Sequence, residues 1–230
     1  MTVAAVVVAA GSGERLGGAP KQFRQLGDLP LLAWSCRLFA SHPEVDSLVV
    51  VLPAELATAP PGWLAEYGAL IVPGGPTRRS SVGCGLEAAG DARLVLIHDA
   101  ARPFASEDLV RRLLLSARTH GAVIPVLEPV DAVKQLTPGE ATISRTLDRS
   151  ILRAAQTPQV FLLEEIRRLH EAADRSGQDA PDDAALCEQA GIAVQTIPGE
   201  RWAFKITHPE DLALAEWLVA TGRVRPADGA

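Results

Sequence analysis

Val3 to Gly13 reads VAAVVVAAGSG, an unbroken apolar run stopped by a glycine turn. A strand with one wet face alternates apolar and polar side chains, so a continuous Val/Ala run describes a strand covered on both faces. Similar runs recur at Ser47–Pro53, Ala69–Pro73, Leu94–His98, Ala122–Leu127 and Ile192–Ile197. Between or after them lie helical patterns at Leu31–Ser41, Ser80–Ala89, Ser106–His120, Leu163–Ser176, Asp182–Ala190 and Pro209–Ala220. Alternating strands and helices predict an α/β fold, a mostly parallel sheet with helices on both faces. Ligands of such sheets sit beyond the carboxyl ends of the strands.

The rest of the composition narrows the class. The chain has 230 residues, a formal net charge of −6, 47% hydrophobic and 22% charged side chains, which excludes disorder and predicts a single domain over residues 1–230. No apolar run approaches the roughly 20 residues that cross a bilayer, and no basic leader precedes the first strand, so the expectation is a cytoplasmic protein without a membrane partner. Cys36, Cys84 and Cys187 are widely spaced, which argues against disulfides and against a cysteine zinc site. An acidic balance with 4% aromatics argues against a nucleic-acid partner. Among 22 basic residues only Lys21, Lys134 and Lys205 are lysines, which marks them as positions where a compact ammonium is needed or merely tolerated.

Val130 to Arg149 breaks the alternation. β-Branched residues flank Thr137-Pro138-Gly139-Glu140, the signal of an inserted β-hairpin. Such a ribbon is marginal alone and must pack on a partner subunit or on its own domain. From Gly222 onward the sequence reads as a frayed tail.

The glycine turn after the first strand presents N–H groups to an anion. It is not a dinucleotide fingerprint, because Leu16 stands where the third glycine belongs, and not a P-loop, because Ala19-Pro20 replaces the Lys-Ser/Thr pair. Arg15, Lys21 and Arg24 face a single acid, Glu14, between Gly11 and Arg24, which matches a polyphosphate or a solvated surface loop. A second turn, Gly74-Gly75, leads through Arg78-Arg79 to Ser80-Ser81, either of which suits a helix N-cap. The fourth strand delivers His98, Asp99 and Arg102 to the same edge, with Asp99 free to meet a ribose, a cation or Arg102. His98 reads more readily as a packed histidine than as a ligand.

AAGSGERLGGAPKQF from Ala9, GGPTRRSSV from Gly74, HDAARP from His98, TLDR ending at Arg149, TPQVF from Thr157 and FKIT from Phe204 occur in order along nearly the whole chain. Together they resemble the 2-C-methyl-D-erythritol 4-phosphate cytidylyltransferase family. The resemblance implies a Rossmann-like enzyme that transfers CMP from CTP to methylerythritol phosphate in non-mevalonate isoprenoid synthesis, with Mg²⁺ bridging the triphosphate. It implies catalytic roles for Arg15, Lys21, Arg149 and Lys205, and CTP binding by Ala9, Ala10, Gly11, Gly13, Gly75 and Ser81. It places Asp99, Arg102 and Thr157 around the acceptor. By the same likeness residues 130–150 are a dimerisation arm that carries Arg149 to the neighbouring subunit of a homodimer. Two departures touch the acceptor side: Ala132 and Pro181 stand where the family has threonines. They keep a ribitol 5-phosphate or other polyol-phosphate cytidylyltransferase in view, and beside it a noncatalytic nucleotide-binding module.

Overall fold

In the computed structural model, which describes residues 1–11, 21–177 and 180–227, the apolar runs become strands of one sheet. Its members are β1 (Val3–Val8), β4 (Ser47–Leu52), β5 (Leu70–Pro73), β6 (Leu94–Asp99), β7 (Val123–Leu127), β10 (Ala154–Ala155), β11 (Gln159–Leu162) and β12 (Gln195–Pro198). Between β1 and β4 lie a two-residue pairing of β2 (Gln25–Leu26) with β3 (Leu29–Pro30) and helix α1 (Leu31–Ser41). Next come α2 (Ala54–Ala57), α3 (Arg78–Ala88), α4 (Glu107–His120), α5 (Leu163–Ser176), α6 (Asp183–Gln189) and α7 (Pro209–Ala220).

The strand order is β10-β7-β11-β6-β1-β4-β5, with β12 on the outer side of β7. β1 pairs parallel with β4 and β6, and β4 parallel with β5. The TPQVF stretch supplies a strand that periodicity does not mark: β11 runs antiparallel between β6 and β7. Its run of four residues is too short to read as a strand locally, and it exists because β6 and β7 leave a slot between them.

Side chains of β1 alternate between two cores. Val3, Ala5 and Val7 face α1 and α4, through Leu32, Phe39, Leu109 and Leu113. Ala4 and Val6 face α3 and α5, through Val82, Leu86 and Ile166. Both faces are therefore apolar, which is why the run does not alternate. On the second face α3 lies close: a Cβ at Gly85 would come within 2.4 Å of Val6 Cγ1, so only glycine admits this approach. Helix ends follow their local signals. Ser106 caps α4 by accepting from Leu109 N–H at 3.0 Å, with Glu107 and Asp108 in the first turn. Thr77, not Ser80 or Ser81, caps α3; Ser80 completes its capping box.

The inserted hairpin is present as β8 (Lys134–Leu136) and β9 (Ile143–Thr146), antiparallel with a register shift at Gln135/Leu136. All seven strand residues are exposed, among them Leu136 and Ile143, and Val130 and Ile151 at its foot are exposed as well. The tail differs from expectation. Arg223 N–H bonds to Leu218 O at 3.0 Å, Val224 packs beside Trp34 and Leu218, and Ala227 reaches the first core, so residues 222–227 are anchored rather than frayed. What holds them is apolar burial against distant residues, which local composition does not reveal.

Candidate active site

The carboxyl ends of β1, β4, β5 and β6 point one way, and β11 starts at the same edge because it is antiparallel. A cavity of about 730 Å³ opens there. Ala9, Ala10 and Gly11 form its floor at the end of β1, and Gly75 and Ser81 form the wall leading into α3. Lys21, Asp99 and Lys205 converge on it from three other segments. Ser81 is buried, and its Oγ lies 2.8 Å from Thr77 O and 3.2 Å from Gly75 O, so it ties the glycine turn to the start of α3.

Asp99 is the one carboxylate on this surface, against the three cations Lys21, Arg78 and Lys205 among the described lining residues. Arg78 Nε lies 3.1 Å from Asp99 Oδ1, and Lys205 Nζ lies 2.7 Å from Oδ2. Burial would raise the Asp99 pKa, but Arg78 and Lys205 outweigh it and hold the carboxyl well below the usual carboxylate range. Arg78 also reaches back: its Nη2 meets Asp183 Oδ2 at 3.0 Å, and His170 Nε2 donates to the other oxygen of Asp183 at 3.0 Å. Burial disfavours the Arg78 charge, yet the two carboxylates more than restore it and its pKa is raised. A buried carboxylate, a guanidinium and the cleft acid thus form one chain from α6 to the end of β6.

Behind Asp99 lies a neutral relay of hydrogen bonds. Asp99 N–H donates to Thr157 Oγ1 at 3.1 Å, and Thr157 Oγ1 lies 3.2 Å from His98 Nδ1. His98 Nε2 faces Arg102 O at 3.1 Å, which can only accept, so Nε2 carries the proton and Nδ1 accepts from the Thr157 hydroxyl. Full burial pushes the His98 imidazole down to about 4. His98 is therefore the packed histidine that its setting at the end of a core strand predicts.

The expected site residues divide accordingly. Lys21 lines the cavity with Nζ donating to Ile206 O at 3.1 Å, beside the segment that carries Lys205. Arg102 directs Nη1 to Ala203 O at 2.9 Å instead of pairing with Asp99, and the Thr157 hydroxyl is turned inward to Asp99 N–H and His98. Arg149 stands at the foot of the hairpin, exposed, donating to Val130 O rather than pairing with Asp148 or Glu140. Gly13 and Arg15 lie outside the described residues. Two side chains that sequence reasoning passed over belong to the site. Gln22, buried, donates from Nε2 to Ala9 O at 2.7 Å and so fixes the end of β1. Arg78 joins Asp99 to Asp183. Both sit inside the quoted family-like stretches, which was the available signal.

Lys21, Arg78 and Lys205 gather where the parallel strands end, so the fold and cleft define an α/β protein whose cleft suits an anionic ligand held by position and charge. A family model for 2-C-methyl-D-erythritol 4-phosphate cytidylyltransferase matches residues 3–221. The chain is 45% identical over 218 residues to the Thermus thermophilus protein of that name, covering 95% of this chain and 97% of the relative. The crystal structure of the Thermus thermophilus enzyme superposes with a TM-score of 0.81 over 96% of this chain and 100% of that one at 40% identity. The Anaerococcus prevotii 4-diphosphocytidyl-2C-methyl-D-erythritol synthase superposes with a TM-score of 0.85 at 27% identity, covering 95% and 96%. This chain belongs to the 2-C-methyl-D-erythritol 4-phosphate cytidylyltransferase family and is a nucleotidyltransferase.

Proposed function

We propose that the cavity binds CTP and 2-C-methyl-D-erythritol 4-phosphate and joins them, releasing pyrophosphate and 4-diphosphocytidyl-2-C-methylerythritol. The observation that carries this reading is the convergence of Lys21, Arg78 and Lys205 on the glycine-floored end of β1 in a chain of this family. An oxygen of the acceptor phosphate attacks the α-phosphorus while the bond to the bridging oxygen of the leaving diphosphate breaks. That phosphate is already a nucleophile, so no general base is needed; the protein aligns two polyanions and offsets their charge. Ala9, Ala10, Gly11, Gly13, Gly75 and Ser81 hold the nucleotide, while Arg15 and Lys21 stabilise the charge that builds at the reacting phosphorus. Lys205, Asp99, Arg102 and Thr157 order the acceptor side, Thr157 through Asp99 rather than by contact, as its inward hydroxyl favours.

The described residues do not assemble a resident metal site. The cavity offers one carboxylate, engaged by two cations, and no group of three ligating side chains occurs among the described residues. Mg²⁺ enters this reading with the substrate, as magnesium–CTP. The reading further takes the enzyme to be a cytoplasmic homodimer of single-domain subunits, with residues 130–150 as the arm that brings Arg149 to the partner's acceptor site. In support, the hairpin's apolar residues are exposed, and Arg149 is not among the described residues that line its own chain's cavity.

A second acceptor stays in view for one reason: Ala132 and Pro181 stand where the resemblance implies threonines, and each lost hydroxyl is worth up to about tenfold in affinity. With magnesium, CTP and each acceptor in turn, pyrophosphate release is expected to be faster with methylerythritol phosphate; preference for ribitol 5-phosphate would reassign the acceptor.

A further inference from the structure

We propose that Gln156 is a positioning residue for Lys205. The inference deepens the functional reading above, since it rests on Lys205 meeting the acceptor. Lys205 lies in a stretch without regular secondary structure between β12 and α7, so no ladder of backbone bonds fixes its place. A single turn precedes it, closed by Ala203 N–H to Glu200 O at 3.1 Å. Gln156 straddles that turn. Its Oε1 accepts from Glu200 N–H at 3.0 Å, while Nε2 donates to Glu200 O at 2.9 Å and to Ala203 O at 3.2 Å. Both amide hydrogens and the amide oxygen are thus engaged, and only this orientation of the carboxamide satisfies all three partners.

The fit is tight from both sides. Gln156 is 3% exposed, and its own N–H is anchored to Pro125 O on β7 at 2.9 Å. A Cβ at position 199 would lie 2.2 Å from Gln156 Oε1, so Gly199 is the residue that lets the carboxamide reach the turn. Beyond the turn, Ile206 N–H bonds to Ala101 O at 2.8 Å, and between these two anchors Lys205 reaches Asp99. The neighbouring residue completes the device: Thr157 holds the backbone of Asp99, as Gln156 holds the loop of Lys205. One dipeptide in the link between β10 and β11 therefore sets where the cleft's ammonium and carboxylate stand relative to each other.

Small displacements of an aligning cation cost rate steeply, about 100-fold for 1 Å. Leucine keeps the volume of glutamine and removes all three bonds. Gln156→Leu is expected to lower kcat/KM for the acceptor about 10- to 100-fold with the CTP dissociation constant changed less than twofold, because the nucleotide floor lies on β1 and α3. In the Lys205→Met background the same change is expected to add less than about threefold, since both act through one group. Losses that multiply in the double variant would overturn the proposal, as would a lowered melting temperature with acceptor kinetics per active site unchanged. Gln156→Asn, one methylene shorter, repeats the test with a smaller loss should the leucine variant not fold. If Lys205→Met alone leaves acceptor kinetics unaltered, the role of Lys205 falls and the proposal with it, a result told apart by that single variant.

Discussion

Asp99 accepts from Arg78 and Lys205 at once, and the position of its carboxylate decides where both cations stand in the cleft. Lys21 comes from a different segment and touches the backbone beside Lys205, so the two proposed catalytic lysines stand in one neighbourhood of the cleft. Groups that act on charge appearing only in the transition state affect turnover more than ground-state binding. Lys21→Ala and Arg15→Ala are accordingly expected to depress kcat by roughly 100-fold or more while CTP affinity changes far less. Steady-state kinetics beside equilibrium CTP binding separate the two; equal losses in both would favour a nucleotide sensor. His98 makes a different prediction, about stability. Folded, it is neutral down to about 4, whereas unfolded it takes a proton near the ordinary value of about 6.5. The stability this contributes is complete above that ordinary value, declines as pH falls through the window, and levels off once the folded imidazole also protonates. A gap of that size is worth about 3 kcal/mol. Urea unfolding between about pH 7 and 4 is expected to show the slope, flattened in His98→Asn; the carboxylates Asp99 and Asp183, held low, add their own losses only at more acid pH.

Among the elements, the hairpin stands apart. Its strands pair with each other, and a two-stranded ribbon in water is marginal by itself. An exposed ribbon bearing Leu136 and Ile143 fits a role in which a second copy covers it. Arg149→Ala is expected to lower activity at least about tenfold while the protein still sediments as a dimer. Mixed dimers of Arg149→Ala with Lys21→Ala subunits are expected to recover part of the activity, because one of their two sites then carries both residues. Complete absence of rescue would argue against a site shared between subunits. The helices, by contrast, were legible from their ends. Leu31–Ser41, Leu163–Ser176 and Pro209–Ala220 match the observed bounds, since apolar spacing and flanking signals are local quantities.

For the whole molecule, a ligand that binds the folded chain alone must raise its stability by mass action. CTP with magnesium at about 100 times its dissociation constant is expected to add about 2.7 kcal/mol, seen as a rise in Tm, with a smaller rise for UTP at equal concentration. No rise with CTP would contradict the cleft assignment. The sequence by itself determined the α/β class, the core strands, most helices, the hairpin and the segments that line the cleft. These follow from apolar runs and turn residues that report their own surroundings. Tertiary structure alone decided that β11 enters the sheet antiparallel, that the chain end packs, that Arg78 rather than Arg102 pairs with Asp99, and that Gln156 grips the Lys205 loop. Each joins residues far apart along the chain, such as Lys205 to Asp99 across 106 positions and Arg78 to Asp183 across 105. The partner of a charge or an amide is settled by which segments the sheet brings together, and that is a property of the folded chain.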